Sequence, residues 1–224
     1  PVQHRREDLH FRDLLRRLGL LLRNEKLPVT LLWGNHDWKY WSFRREIEQI
    51  GKEMRENFEF YVLNDLSILT VDVLMDPDPQ TGRRPIDLWG EHAVLVVERF
   101  GWLITHAGVH PSLWPQGKNL SEGITELNET MRALVENPPT DYSHPLIGAG
   151  PARGGDHPVG GPLWLDFIEE FADDLPFPQV VGHTRCPDVL QNGRSLCLDA
   201  CQQVCALLHP DGTLEPRICG KHEG

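Results

Sequence analysis

The sequence predicts an α/β layered fold in one domain. Along the chain, hydrophobic periodicity switches between the three-to-four spacing of amphipathic helices and short β-branched-rich runs of strand type. Three of those runs end in a small residue beside a His or an Asn, as strands do when they deliver side chains to the carboxyl edge of an open sheet. The 224 residues suffice for one sizeable core and not for two.

The elements follow in order. Residues 7–22 read as a helix, with Phe11, Leu14, Leu15, Leu18, Leu21 and Leu22 on one face. The run Val29-Thr30-Leu31-Leu32-Trp33 reads as a strand, and 41–58 as a helix presenting Phe43, Ile47, Ile50 and Met54. Strands are expected at 93–98 and 102–106, then a helix at 119–136 through Leu120, Ile124, Leu127, Met131 and Leu134. A further helix is expected at 163–173, carrying Trp164, Phe167, Ile168 and Phe171. Strands at 179–183, 195–200 and 203–208 close the series, the last two joined as a pair by Gln202-Gln203. Pro and Gly punctuate 76–82 and 137–161, which read as exposed loops. Neither an internal repeat nor an interdomain linker is visible.

Composition narrows the function classes. A net charge of −11 and a pI near 5.4 argue against nucleic-acid binding, which needs a basic stripe. An acidic surface still admits phosphate substrates, because a bound dication and local Arg side chains set the field at a site. No apolar run is long enough to span a membrane, and no charged stretch leads into an apolar secretion signal. Four-residue spacing of Cys197, Cys201 and Cys205 would align a metal set on a helix, but the flanking residues read as strands, so buried free thiols are expected. Free thiols fit a reducing cytoplasm.

The chemistry concentrates in three islands: Gly34-Asn35-His36-Asp37, Thr105-His106-Ala107-Gly108 and Gly182-His183-Thr184. An amide oxygen and two imidazoles from three strand ends make a donor set of borderline hardness, suited to Mn, Fe or Zn more than Ca. Taken singly, Asn35 caps turns as Asn often does, and each His is a hydrogen-bonded strand-end residue. Jointly, at three strand ends, they read as one site assembled by the fold. His92, His110, His144, His157 and His209 read as surface or structural residues, and His4 and His10 as solvated.

These islands resemble, in order and spacing, three motifs of the calcineurin-like metallophosphoesterases, in the serine/threonine-phosphatase-like branch that includes bacterial diadenosine-tetraphosphate hydrolases. The family's earlier Asp-x-His and Gly-Asp-x-x-Asp-Arg-Gly motifs are absent. Pro1 reads as the residue just after them, which favours a truncated chain over a metal-deficient relative. The resemblance runs from about Pro1 to about His209. It implies a sandwich of two mixed β-sheets flanked by helices, lacking its first strand–helix units.

The resemblance also implies a phosphoester hydrolase using a water activated by two metal ions, Mn or Fe foremost and Zn third. Asn35, His106 and His183 would ligate one metal; the second and its bridging carboxylate would come from the missing motifs. His36 would be the general acid, its imidazole in the workable range. Arg153, in the Gly-rich loop, is a candidate phosphate contact, with a solvated loop Arg the plain alternative. The substrate is open among phosphoprotein, dinucleoside polyphosphate and small phosphoester. The competing reading is a non-catalytic fragment or pseudoenzyme that acts as a binding module, with Trp38, Tyr40 and Trp41 as an exposed contact patch, although aromatics after such a loop are more often packing or pocket wall.

Overall fold

A computed structural model of the chain describes residues 29–49, 77, 82–139, 141–200 and 203–218. The expected helix at 7–22, the end of that at 41–58, most of the 76–82 loop, Cys201 and Cys219 lie outside these residues. The described residues fall into two compact units, one formed by Leu32–Asn35 with Val94–Gly224, the other drawn from Pro1–Leu31 and His36–Ala93.

In the second of these, helix α1 (Asn35–Gln49) starts six residues before the expected position and α2 (Pro85–His92) was not expected. Pro85 suits the first turn of a helix, where its missing N–H costs nothing, and the Arg84 guanidinium clasps Asp87 through two bonds of 3.0 and 2.9 Å. Trp38, Tyr40 and Trp41 are buried at 1%, 2% and 9% exposure, which overturns the exposed aromatic patch. Their rings are core material. Trp41 lies where a Cβ on Gly90 would stand, and the Arg44 guanidinium sits 3.7 Å from the Trp41 ring centroid.

The larger unit holds a five-stranded mixed sheet in the order β3-β4-β5-β7-β6. Strands β3 (Val96–Arg99) and β4 (Trp102–Thr105) are antiparallel, joined by Phe100 and Gly101, both at positive φ as a tight hairpin requires. β4 then runs parallel to β5 (Gln179–Val181), and β5 parallel to β7 (Ser195–Cys197). β5 is buried along its whole length, as central parallel strands are. β6 (Leu190–Asn192) pairs antiparallel with β7 through the two-residue loop Gly193-Arg194.

Helix α3 (Leu120–Glu136) lies where the sequence places it, opened by a capping box between Asn119 and Glu122. Its Asn128 amide locks it to the sheet: Oδ1 accepts from Leu95 and Val96 N–H at 2.9 and 3.1 Å, and Nδ2 donates to the Val96 carbonyl. Strands β1 (Leu31–Leu32) and β2 (Ala93–Val94) form a short ribbon. β8 (Val204–Leu208) and β9 (Leu214–Ile218) form another.

Several expectations need correction. β7 and β8 are not a pair, because β5 and β6 already occupy both edges of β7. Residues 163–173 form turns and not a helix, because side chains take the amides a helix would use. Asp166 Oδ1 accepts from Ile168 and Glu169, Thr184 Oγ1 from Phe167, and Glu170 Oε2 from Asp166. The architecture is α/β with mixed strand pairing. Among the described residues there is one mixed sheet, and the second sheet of the expected sandwich is not among them. No helix among the described residues is long and apolar enough to cross a membrane.

Candidate functional site

Parallel pairing of β4 with β5, Leu103 opposite Gln179 and Ile104 opposite Val180, makes the two strands end at the same edge. His106 follows β4 directly and His183 follows β5 by two residues. The Gly182 N–H donates to the His106 carbonyl at 2.8 Å, tying the two loops together. Asn35, only 4% exposed, belongs to the same compact unit.

The structure brings side chains of the three islands together. His106 Nε2 lies 2.9 Å from Asn35 Oδ1 and 3.0 Å from His183 Nδ1, and the two imidazole centroids are 4.9 Å apart. Two ligands at right angles, each about 2.1 Å from a cation, stand about 3.0 Å apart. Both separations lie in the range that two ligands of one divalent ion adopt. Among the described residues no group of three His, Cys, Asp or Glu forms; this cluster is two imidazoles and an amide.

His183 occupies a strained position, with φ at +65° and the Thr184 N–H closing onto the Gly182 carbonyl at 2.7 Å. An i→i+2 bond across a residue at positive φ is the rarer, costlier γ-turn. The Cys197 thiol braces it, 3.4 Å from the carbonyls of both Gly182 and Thr184. Burial pushes that thiol up to about 12, so it stays neutral and is no nucleophile at pH 7. Cys197 is a buried free thiol as expected, and Cys186 is another; Cys205, expected to be buried with it, is instead exposed, because alternate side chains of the ribbon strand face outward.

Around the imidazoles stand residues the sequence left scattered. Trp164 meets His183 edge-on at 5.9 Å, and Tyr142 meets Trp164 in the same manner. Arg153, from the single 3₁₀ turn Pro151–Arg153, donates through Nη2 to Thr184 Oγ1 at 3.1 Å and pairs with Asp166 Oδ2 at 2.9 Å. Its Nε is buried without a hydrogen-bond partner among the described residues. Arg153 thus reaches the residue next to His183. Asp166 carried no signal in the sequence; Thr184, inside an island, did. His36 is exposed in the first turn of α1, and Asp37 is half-buried beside it in sequence.

No protein-family model matches the chain, and no curated protein matches it. Solved structures similar to it include cold-active protein-tyrosine phosphatase of the psychrophile Shewanella sp., at 17% identity and a TM-score of 0.46 over 84% of this chain and 58% of that one. A point mutant of a cold-active protein tyrosine phosphatase matches at 15% identity and a TM-score of 0.47, over 91% of this chain and 64% of that one. A further structure of cold-active protein tyrosine phosphatase, at 1.1 Å, matches at 17% identity and 0.46, over 84% and 57%. The chain spans less than two thirds of the length of each. At this similarity the chemistry rests on the chain's own side chains.

Proposed function

We propose that this chain is part of a metal-dependent phosphoester hydrolase of the calcineurin-like type. The observation that carries the reading is the convergence of Asn35 Oδ1, His106 Nε2 and His183 Nδ1 at 2.9 and 3.0 Å separations. Three electron-pair donors meet where the parallel strands β4 and β5 of the mixed sheet end, and a divalent cation held there would replace the hydrogen bonds they now share. Mn or Fe suits this donor set, Zn less, with a second ion belonging to the complete site of the resembled family.

When bound, the cation supplies charge neutralisation at the phosphoryl oxygens and an acidified water. The chain's own groups do the rest. Asn35 and the two imidazoles would hold the ion, and Trp164 meets His183 edge-on. His36, protonated, would hand its proton to the leaving oxygen. Arg153 would grip a phosphoryl oxygen through its planar fork. The substrate is a phosphoprotein, a dinucleoside polyphosphate or a small phosphoester. Buried reduced Cys186 and Cys197 support a cytoplasmic setting. The binding-module alternative loses its proposed surface, since Trp38, Tyr40 and Trp41 are core residues.

Mn²⁺ titration of the 224-residue chain, followed by calorimetry and by the free-ion EPR signal, tests the reading. One ion per chain is expected, lost in Asn35→Ala, His106→Ala and His183→Ala and retained in His36→Asn. Loss of Mn²⁺ in His36→Asn to the same extent would recast His36 as a ligand. Undiminished binding in His106→Ala would remove the site.

A further inference from the structure

We propose that Glu170 is the positioning residue that sets where Arg153 stands against Thr184, acting as an anionic clasp on the Gly-rich loop. This rests on the reading of Arg153 as a phosphoryl contact. The Glu170 carboxylate accepts three backbone bonds: Oε1 from Ala152 N–H at 3.1 Å, and Oε2 from Gly160 and Asp166 N–H, each at 3.2 Å.

Each bond bears on the guanidinium. Ala152 is its neighbour in the 3₁₀ turn Pro151–Arg153. Asp166, whose amide the carboxylate holds, supplies the carboxylate 2.9 Å from Arg153 Nη2. Gly160 anchors the far side of the same loop. One charged group therefore sets both the backbone that carries Arg153 and the counter-ion that aims it. Bonds from neutral amides to a carboxylate are stronger than amide–carbonyl bonds.

The loop is shaped around this carboxylate. A Cβ on Gly150 would collide with Glu170 Oε1, and one on Gly160 would stand 2.8 Å from Oε2. Neither glycine has a positive φ; close neighbours exclude a side chain, Glu170 Oε1 and the Gly160 nitrogen at Gly150, and Glu170 Oε2 together with the Leu165 backbone at Gly160. None of the Glu170 bonds goes to Asn35, His106 or His183, so the residue acts through Arg153 and not on the donor cluster.

The test measures inorganic phosphate binding to the Mn²⁺-loaded 224-residue chain, together with Mn²⁺ affinity and amide hydrogen exchange. Glu170→Gln turns one acceptor oxygen into a donor facing N–H groups, and it should weaken phosphate about tenfold. Mn²⁺ affinity should stay unchanged, which also shows that the sheet edge is intact. Exchange at Ala152, Gly160 and Asp166 should quicken. Glu170→Asp, which keeps the carboxylate, should restore part of the loss. Arg153→Met should cost as much as Glu170→Gln, with no further loss in the double variant. If Arg153→Met weakens phosphate and Glu170→Gln does not, the clasp is wrong and the reading of Arg153 stands. If Arg153→Met leaves phosphate binding untouched, Arg153 is not the contact and Glu170 has nothing to position.

Discussion

Gly108 shows how one residue joins a motif to a core. It closes the island Thr105-His106-Ala107-Gly108 at φ +115°, a conformation that residues with a Cβ avoid. A Cβ there would press on Leu165 Cδ2 and Phe171 Cδ2, each at 3.1 Å. Ala107 beside it is fully buried, its N–H given to the Pro162 carbonyl. Gly108→Ala should therefore destabilise the chain by about 2–4 kcal/mol, combining backbone strain with overpacking, read as a lower urea midpoint. A midpoint within error of the parent would mean that the turn relaxes freely. The presence of a Gly at this place was legible in the sequence. Its reason was not, because Leu165 and Phe171 arrive from a segment some sixty residues away.

At the scale of elements, polar side chains fasten strands and helices where the hydrophobic pattern only brings them near. Asn128 makes three bonds to the start of β3, so Asn128→Leu would strand two N–H groups and a carbonyl. The expected loss is about 2–4 kcal/mol of unfolding free energy, measured by urea titration. Asp173 does the same for the β6–β7 turn. Its Oδ1 accepts the Ser195 hydroxyl at 2.6 Å and its Oδ2 the Arg194 N–H at 2.8 Å, while the Arg194 side chain also reaches the Leu175 carbonyl. Burial alone would raise the Asp173 carboxyl, but the bonds from Ser195 and Arg194 outweigh it and hold the group below its ordinary value. A depressed acid stabilises the fold above its unfolded-state value and loses that contribution as pH falls through the folded one. Asp173→Asn should thus lower Tm by several degrees at pH 7, with the gap to the parent narrowing as pH falls through and below the ordinary carboxyl range. An equal gap at both ends of that range would count against the carboxylate's role. The helix α3 and the strands β3, β4, β5 and β7 were readable because their apolar periods are long or bounded. α2, β6 and β9 were not: a Pro-led helix of eight residues, three residues of strand and a strand containing Pro216 carry too little pattern.

For the whole molecule, the sheet order decides the chemistry. Loop 106–108 and loop 182–184 emerge side by side only because β4 and β5, more than seventy residues apart in sequence, pair in parallel. A ligand that bridges them should couple to global stability. At about a hundredfold excess over its dissociation constant, Mn²⁺ should add about 2.7 kcal/mol to unfolding. The corresponding rise in Tm is expected for the parent chain and for His36→Asn, and absent in His183→Ala. A rise in all three would place the ion elsewhere.

By itself, the sequence determined the α/β class, the position of α3 and of the bounded strands, and three residues that meet at the sheet edge. Each of those follows from local physics, whether apolar period, a cap, or a strand ending in a small residue beside a donor. Only the tertiary structure decided that Trp38, Tyr40 and Trp41 are core, that 163–173 is turns, and that Arg153 stands by Thr184 under the hold of Asp166 and Glu170. Those outcomes depend on which side chains claim a given amide or ring face. The claimants come from segments far apart in the chain, which no local pattern of residues records.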